Sequence, residues 1–261
     1  MRTAWWLLMC AGLTRAPLVS ADSLELRAAK DLGYTEVAAG HVHERVSNQP
    51  NDWTESLVEL LRKFGDRKLI VGRLVETERF GLRDTTASLA GYYPIGSRST
   101  LYAEASGSDT HRVLPRDSLH IQLAQELGAG WGVMGGLKQA RYDRTTVEIA
   151  DLTLEYYFSS FRLALTSLPS HSTTAGSASS NRMQIGHYYG TDNNVQFVVA
   201  SGEEVDRPIA AGTIARASVR STVLYGRHWL ERDWALTYTL GRTRQGDSIR
   251  DSAGVGLRYR F

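Results

Sequence analysis

Cysteine is almost missing: Cys10 is the only one in 261 residues, so no internal disulfide forms and no thiolate cluster is available to a metal. Lysine is confined to Lys30, Lys63, Lys68 and Lys138, which leaves the positive charge nearly all on arginine. The formal net charge is only +2 and no basic block stands out, so no nucleic-acid partner is expected. Proline (6) is scarce beside glycine (24), and phenylalanine (6) is outnumbered by tyrosine (12) and tryptophan (6) together. That balance suits bends and wet–dry boundaries better than a compact helical core. Mean hydropathy is −0.28, a value typical of soluble chains. After the first twenty-odd residues no apolar run reaches the length of a membrane-spanning helix.

What is present begins with a leader. Arg2 supplies a positive region, Ala4 to Leu13 (AWWLLMCAGL) an apolar core, and Val19-Ser20-Ala21 a small-residue cleavage pattern. The run is too short to span a bilayer. Met9 before Cys10 departs from a lipoprotein signal, which wants a small residue there. The expected organisation is a signal peptide over 1–21, a short periplasmic segment over 22–33 and a single β domain over 34–261.

From Tyr34 on, two-faced segments recur between turn residues. Leu119, Ile121 and Leu123 oppose His120, Gln122 and Glu126; Trp234, Leu236, Tyr238 and Leu240 oppose Ala235, Thr237 and Thr239. Over Val147–Phe158 the apolar phase slips near Asp151, which predicts a bulge. Thr54–Phe64 carries leucines at helical spacing, yet alternating segments follow it closely and it is read as a strand. About fourteen strands result, with twelve as the alternative. Longer connections are expected at 108–116, 170–180 and 206–213, and tight turns at the opposite end. The Ser/Thr-rich 170–180 stretch also fits an interdomain linker, but strands of one kind flank it.

The fold class expected is therefore all-β: a single closed antiparallel transmembrane β-barrel. In hydrocarbon every backbone N–H and C=O must be satisfied within the protein, and a sheet does this only by closing. One face then meets lipid and the other a lumen, which lets average hydropathy stay low while each strand is two-faced. Aromatics at strand ends (Tyr92-Tyr93, Trp131, Tyr156-Tyr157-Phe158, Tyr188-Tyr189, Trp229 and Trp234) fit interfacial girdles. The last eight residues, GVGLRYRF, alternate strictly and end on Phe261. Gly256, Tyr259 and Phe261 are read as the signal by which barrel-assembly machinery recognises a closing strand. The partners expected are that machinery, the outer-membrane bilayer with its lipopolysaccharide, and a saccharide. A soluble secreted β-sandwich is the non-membrane rival.

Arg79-Phe80-Gly81 with Asp84, Tyr92-Tyr93-Pro94, Leu101-Tyr102-Ala103-Glu104, Leu114-Pro115-Arg116, Tyr188-Tyr189-Gly190 and Gly226-Arg227-His228-Trp229 occur in an order that resembles the YaiO family of outer-membrane β-barrels. The resemblance covers roughly 36–261 and implies a single barrel in the outer membrane of a Gram-negative bacterium. It transfers no settled activity. The family's looser similarity to the barrels of exopolysaccharide exporters implies glycan handling, although residues 22–33 are too short for the helical repeats those exporters carry.

The alternative function is an outer-membrane barrel enzyme of the lipid-hydrolase or protease type, and its catalytic chemistry has thin support. His120, His187 and His228 are the histidines to weigh, with Asp117 and Ser118 beside the first; a solvated lumen network accounts for His120. His41-x-His43 places two ligands on one face without a third, and Glu203-Glu204-x-Asp206 reads as a solvated acidic rim. No cofactor or metal is expected. The polar phases instead predict a lumen lined by Arg162, Arg220, Arg258 and Arg260 with Glu126, Glu148, Glu155 and His120, because arginine on the lipid face is costly. Two outcomes stay open: the charges pair and plug the bore, or they line a path for an anionic or sugar solute.

Overall fold

The computed structural model describes residues 33–65, 67–210 and 213–261. The expected leader, its Cys10 and most of the 22–33 segment lie outside the described residues. The chain forms β1 (Thr35–Val46), β2 (Trp53–Gly65), β3 (Lys68–Arg79), β4 (Leu82–Ile95), β5 (Ser99–Ser108), β6 (Asp117–Gly128) and β7 (Trp131–Arg141). It continues through β8 (Thr146–Phe158), β9 (Phe161–Ser172), β10 (Gly176–Tyr189), β11 (Asn193–Ala210), β12 (Thr213–Trp229), β13 (Trp234–Gln245) and β14 (Ser248–Arg260). Each strand pairs antiparallel with its chain neighbours, and β14 returns to β1, closing the barrel.

The closing pair runs in continuous register from Glu36 opposite Arg260 to Val46 opposite Arg250. Phe261 is fastened too: its N–H donates to the Thr35 carbonyl at 3.0 Å, and Thr35 N–H donates to the Phe261 carbonyl at 3.2 Å. A closed sheet has no unpaired edge to expose to acyl chains.

Burial is inverted relative to a water-soluble domain. Leu137 is 70% exposed and Leu89 62%, whereas Glu36 and Gln196 are fully buried. Leaving leucines outside and charges inside lowers free energy only where the outer surface meets lipid. Trp53–Gly65 is a strand as expected, and its helical spacing has a simple origin. Leu57 and Leu61 face inward while Val58, Leu60 and Phe64 face outward, so both faces are partly apolar.

One aromatic belt encircles much of the end where Thr35 and Phe261 lie. Trp131, Tyr156, Phe158, Phe161, His187, Tyr189, His228 and Tyr238 form a continuous series of ring contacts with centroids 4.6–5.8 Å apart. Trp234, Tyr259 and Phe261 add a second series. Tyr93 faces outward but joins neither series, and four other expected belt residues, Tyr92, Tyr157, Tyr188 and Trp229, take the inward phase of their strands and serve the lumen.

Three expectations about the connections change. The register of β8 with β9 keeps one constant offset, from Val147 opposite Ser172 to Phe158 opposite Phe161, so there is no bulge at Asp151. The apolar phase switches faces instead: Val147 and Ile149 point inward and join Leu168 and Val205 in a small core inside the barrel mouth. Residues 170–180 are largely strand, turning only at 173–175, and residues 206–210 belong to β11. The 109–116 connection remains a true loop. It and 47–52 lie opposite the terminal end, which by the usual asymmetry of outer-membrane barrels faces the exterior.

Near the exterior β11 and β12 outgrow their neighbours. Pairing of β10 with β11 ends at Gly202 and pairing of β12 with β13 ends at Val219. Beyond those points β11 and β12 pair only with each other, and their register shifts between Glu204 and Arg207.

Closure depends on small residues in β14. A Cβ at Gly256 would stand 2.8 Å from the Ala39 carbonyl oxygen and 2.7 Å from Thr237 Oγ1. Gly256→Val is expected to destabilise the barrel by about 1–3 kcal/mol, the usual range for overpacking. The check is a lowered urea midpoint in detergent micelles, with the lipid-facing Ala253→Val unchanged.

Candidate functional site in the lumen

The inward positions of the terminal half are charged or amide-bearing, and they are tied to one another. Arg258, on β14, donates to Glu36 on β1 and, at 2.8 Å, to Glu59 on β2. Glu59 also accepts from Arg73 Nε on β3 at 2.7 Å. Arg260 donates to Glu36 at 2.8 Å and to Asp192, in the turn between β10 and β11, at 3.0 Å. The chain of ion pairs thus reaches from the closing strands to a turn three strands farther round the wall. Burial holds the Asp192 carboxyl above the usual carboxylate range, and Arg260 pulls in the opposite direction.

Three further clusters occupy the same half. Arg162 donates to Glu155 at 2.9 Å, and Tyr157 O–H donates to the same carboxylate at 3.0 Å. Gln184 donates to Gln196 and to Tyr225, while Gln196 donates to Tyr188. Tyr92 packs on Tyr102 with centroids 5.0 Å apart, and Tyr102 donates to Glu104. His120 meets Tyr102 edge-on, and its Nε2 lies 3.1 Å from Asp151, which also accepts from Gln122.

Of the residues expected to line the lumen, Arg162, Arg258, Arg260, Glu126, Glu155 and His120 face inward, and the first three with Glu155 are ion-paired. Arg220 and Glu148 do not. Arg220 is exposed between buried Val219 and Ser221, and Glu148 is exposed between buried Val147 and Ile149. Both point outward because their strand segments lie above the apolar band, where the outer face is again wet and polarity no longer marks the lumen. Glu148 there accepts a bond from Gln139 at 3.1 Å.

The sequence reading missed Asp84, Glu36, Glu59 and Asp151. Asp84 accepts the backbone N–H groups of Arg112, Val113 and Leu114 at 3.0, 2.7 and 2.9 Å, and the Thr110 hydroxyl as well. One carboxylate thereby folds the 109–116 loop into the mouth, with Val113 and Leu114 buried. The only signal was that Asp84 and Leu114-Pro115-Arg116 both occur among the family motifs, which structure now joins. Arg79-Phe80-Gly81 has an equally local purpose. Phe80 (φ 55°) and Gly81 (φ 72°) make the tight turn from β3 to β4, and Phe80 and Arg79 both pack on Trp53.

The histidines weighed in the sequence do not assemble a hydrolytic relay among the described residues. Asp117 faces outward and pairs with Arg116 and Arg141, Ser118 bonds Ser106, and His120 bonds Asp151. His187 and His228 sit in the aromatic belt. His41 bonds Ser56 and His43 bonds Asp52, both on the outside. Glu203 pairs with Arg216.

Arg258→Met leaves two buried carboxylates short of a partner and is expected to cost about 3–5 kcal/mol. The exposed Arg83→Met, which breaks a surface pair with Glu78, should leave the urea midpoint where it was. Asp84→Ala is expected to release the mouth loop: limited trypsin digestion should cut after Arg112 in the variant and spare the parent.

A family model described as the YaiO membrane beta barrel domain matches residues 34–206. No curated protein matches the chain. Solved structures of similar fold include a bacterial polysaccharide outer membrane secretin, at 10% identity and TM-score 0.55 over 89% of this chain and 99% of that one. They also include Omp33 of Acinetobacter baumannii, at 12% identity and TM-score 0.52 over 88% of this chain and 100% of that one. The CymD monoaromatic hydrocarbon channel aligns at 9% identity and TM-score 0.53, covering 89% of this chain and 88% of that one. At such identities the likeness is one of fold, and with the family match it places the barrel in the bacterial outer membrane.

Proposed function

The chain belongs to the YaiO membrane β-barrel family, and from that premise we propose that it is a self-plugged outer-membrane barrel with a glycan- or solute-related accessory role rather than an open pore. The observation that carries the reading is the ion-paired lumen: Glu36 and Glu59 have no side-chain exposure and Arg258 only 2%. Charges in an aqueous channel keep their water. Charges with no exposure have traded it for each other, and a solute must break those pairs to pass.

The glycan part of the proposal rests on the family's similarity to exopolysaccharide-exporter barrels. The lumen chemistry agrees with it: tyrosines, glutamines and carboxylates beside arginines are the groups that bind sugar hydroxyls once their own pairs open. On the same reading the strand ending Gly256, Tyr259 and Phe261 is what the barrel-assembly machinery engages, and closure against β1 completes insertion.

Conductance in planar bilayers tests the plug. The parent is expected to show no steady channel. Arg258→Ser should open one, selective for cations because Glu36 and Glu59 remain, and added oligosaccharide should interrupt that current. A parent that conducts as fully as the variant would overturn the plugged reading. Silence in both would leave a purely structural barrel.

A further inference from the structure

The outer wall carries a feature that the lumen does not explain. A cavity of about 1090 Å³ is lined by residues of β7 to β14. Most strands contribute two outward residues and the one between them, as with Leu152, Thr153 and Leu154 or Arg220, Ser221 and Thr222. On β13 only Arg242 and Arg244 take part, and the inward Thr243 between them does not. The cavity is therefore a groove on the lipid-facing side.

Its lining falls into two parallel rows, each stepping from strand to strand through directly opposed residues. The upper row runs Arg244, Arg220, Ser201, Asn181, Ser167. The row next to it on the periplasmic side runs Thr222, Val199, Met183, Leu165, Leu154. A polar shelf thus borders an apolar floor on its exterior side, slanting with the strand tilt so that its Arg220 and Arg244 end stands highest, at the upper limit of the apolar band.

The shelf ends in an electrostatic conflict. Arg220 and Arg244 are directly opposite on β12 and β13, and like charges so placed repel. Arg242 has a partner, Asp251, at 2.6 and 2.8 Å. Arg220 and Arg244 have no hydrogen-bond or ion-pair partner among the described residues. Two opposed guanidiniums at a bilayer margin, beside hydroxyl and amide groups and above an acyl-sized floor, call for an anion attached to a lipid.

We propose that this groove holds a phosphorylated glycolipid of the outer leaflet. Its phosphate sits between Arg220 and Arg244, where each guanidinium offers a fork of N–H donors matched to phosphate oxygens. Its sugar hydroxyls meet Ser201 and Asn181, and an acyl chain lies over Val199, Met183 and Leu165. The proposal rests on the membrane placement of the barrel and is independent of whether the lumen is plugged.

The test is native mass spectrometry of the detergent-purified full chain, titrated separately with diphosphorylated lipid A, phosphatidylglycerol and inorganic phosphate. The parent is expected to hold one lipid A at micromolar concentration, with phosphatidylglycerol at least tenfold weaker and inorganic phosphate unable to displace it. Arg220→Gln with Arg244→Gln should weaken lipid A at least tenfold, Arg244→Gln alone should do so by a smaller factor, and Arg83→Gln should leave binding unchanged. Heat-modifiable migration on gels reports that each variant is folded; since the double change removes a repulsion, it is expected to fold as well as the parent. Unchanged lipid A binding in the folded double variant overturns the site. Equal binding of phosphatidylglycerol, or displacement by inorganic phosphate, overturns the glycolipid as its occupant. Conductance is unaffected by these changes in either case, so this test and that of the plug fail separately.

Discussion

Everything in this molecule follows from the pairing of its last strand with its first. Without β14 on β1 the sheet would present two rows of unpaired N–H and C=O groups to hydrocarbon, each costing several kcal/mol. With it, every strand has two neighbours, and the backbone's hydrogen bonds are spent within the wall. Side chains then answer to two solvents at once. The same junction also begins the lumen network, because Arg258 and Arg260 on β14 face Glu36 on β1. Closure of the backbone and closure of the bore are thus coupled at one seam.

The lumen clusters share a physical logic. A buried arginine is tolerable when a carboxylate satisfies it and costly otherwise, so each charge fixes the position of the next. Glu59 holds Arg73 and Arg258 on two different strands, and Asp192 reaches Arg260 from the turn between β10 and β11. Such pairs add little net stability compared with apolar packing. Their effect is geometric, since they specify which side chains meet across the bore.

Much of the fold was legible because alternation is a direct record of solvent asymmetry. Trp53–Gly65 shows where that record blurs: Leu57 and Leu61 both face inward, Leu61 into an apolar patch with Tyr92 and Tyr102, so the segment mimics a helix. Val147 and Ile149 show where it reverses. Above the apolar band the inside of the mouth is a small hydrophobic core and the outside is wet, so an apolar phase there marks the interior. Glu148 and Arg220 were misassigned for that single reason. The ion pairs were less legible than the strands. Arg258 and Arg260 were visible as inward arginines, but their partners Glu36 and Glu59 lie up to 224 residues away in the chain and only closure brings them together, while Asp192 lies 68 residues from Arg260 in a turn. Asp84 was hidden for another reason: it binds backbone N–H groups, which carry no side-chain signature.

The tall pair formed by the ends of β11 and β12 has a thermodynamic consequence. Beyond Gly202 and Val219 those strands leave the ladders of β10 and β13 and continue as a two-stranded ribbon, anchored at its base by Val205 in the mouth core. Ribbons of that kind are marginal in water, whereas the wall beneath is held from both sides. Their amides should therefore exchange with solvent deuterium through local fraying, at a free energy well below that of global unfolding. The barrel thus has a graded rigidity along its axis, its strands held from both sides in the wall and from one side only in the ribbon above it.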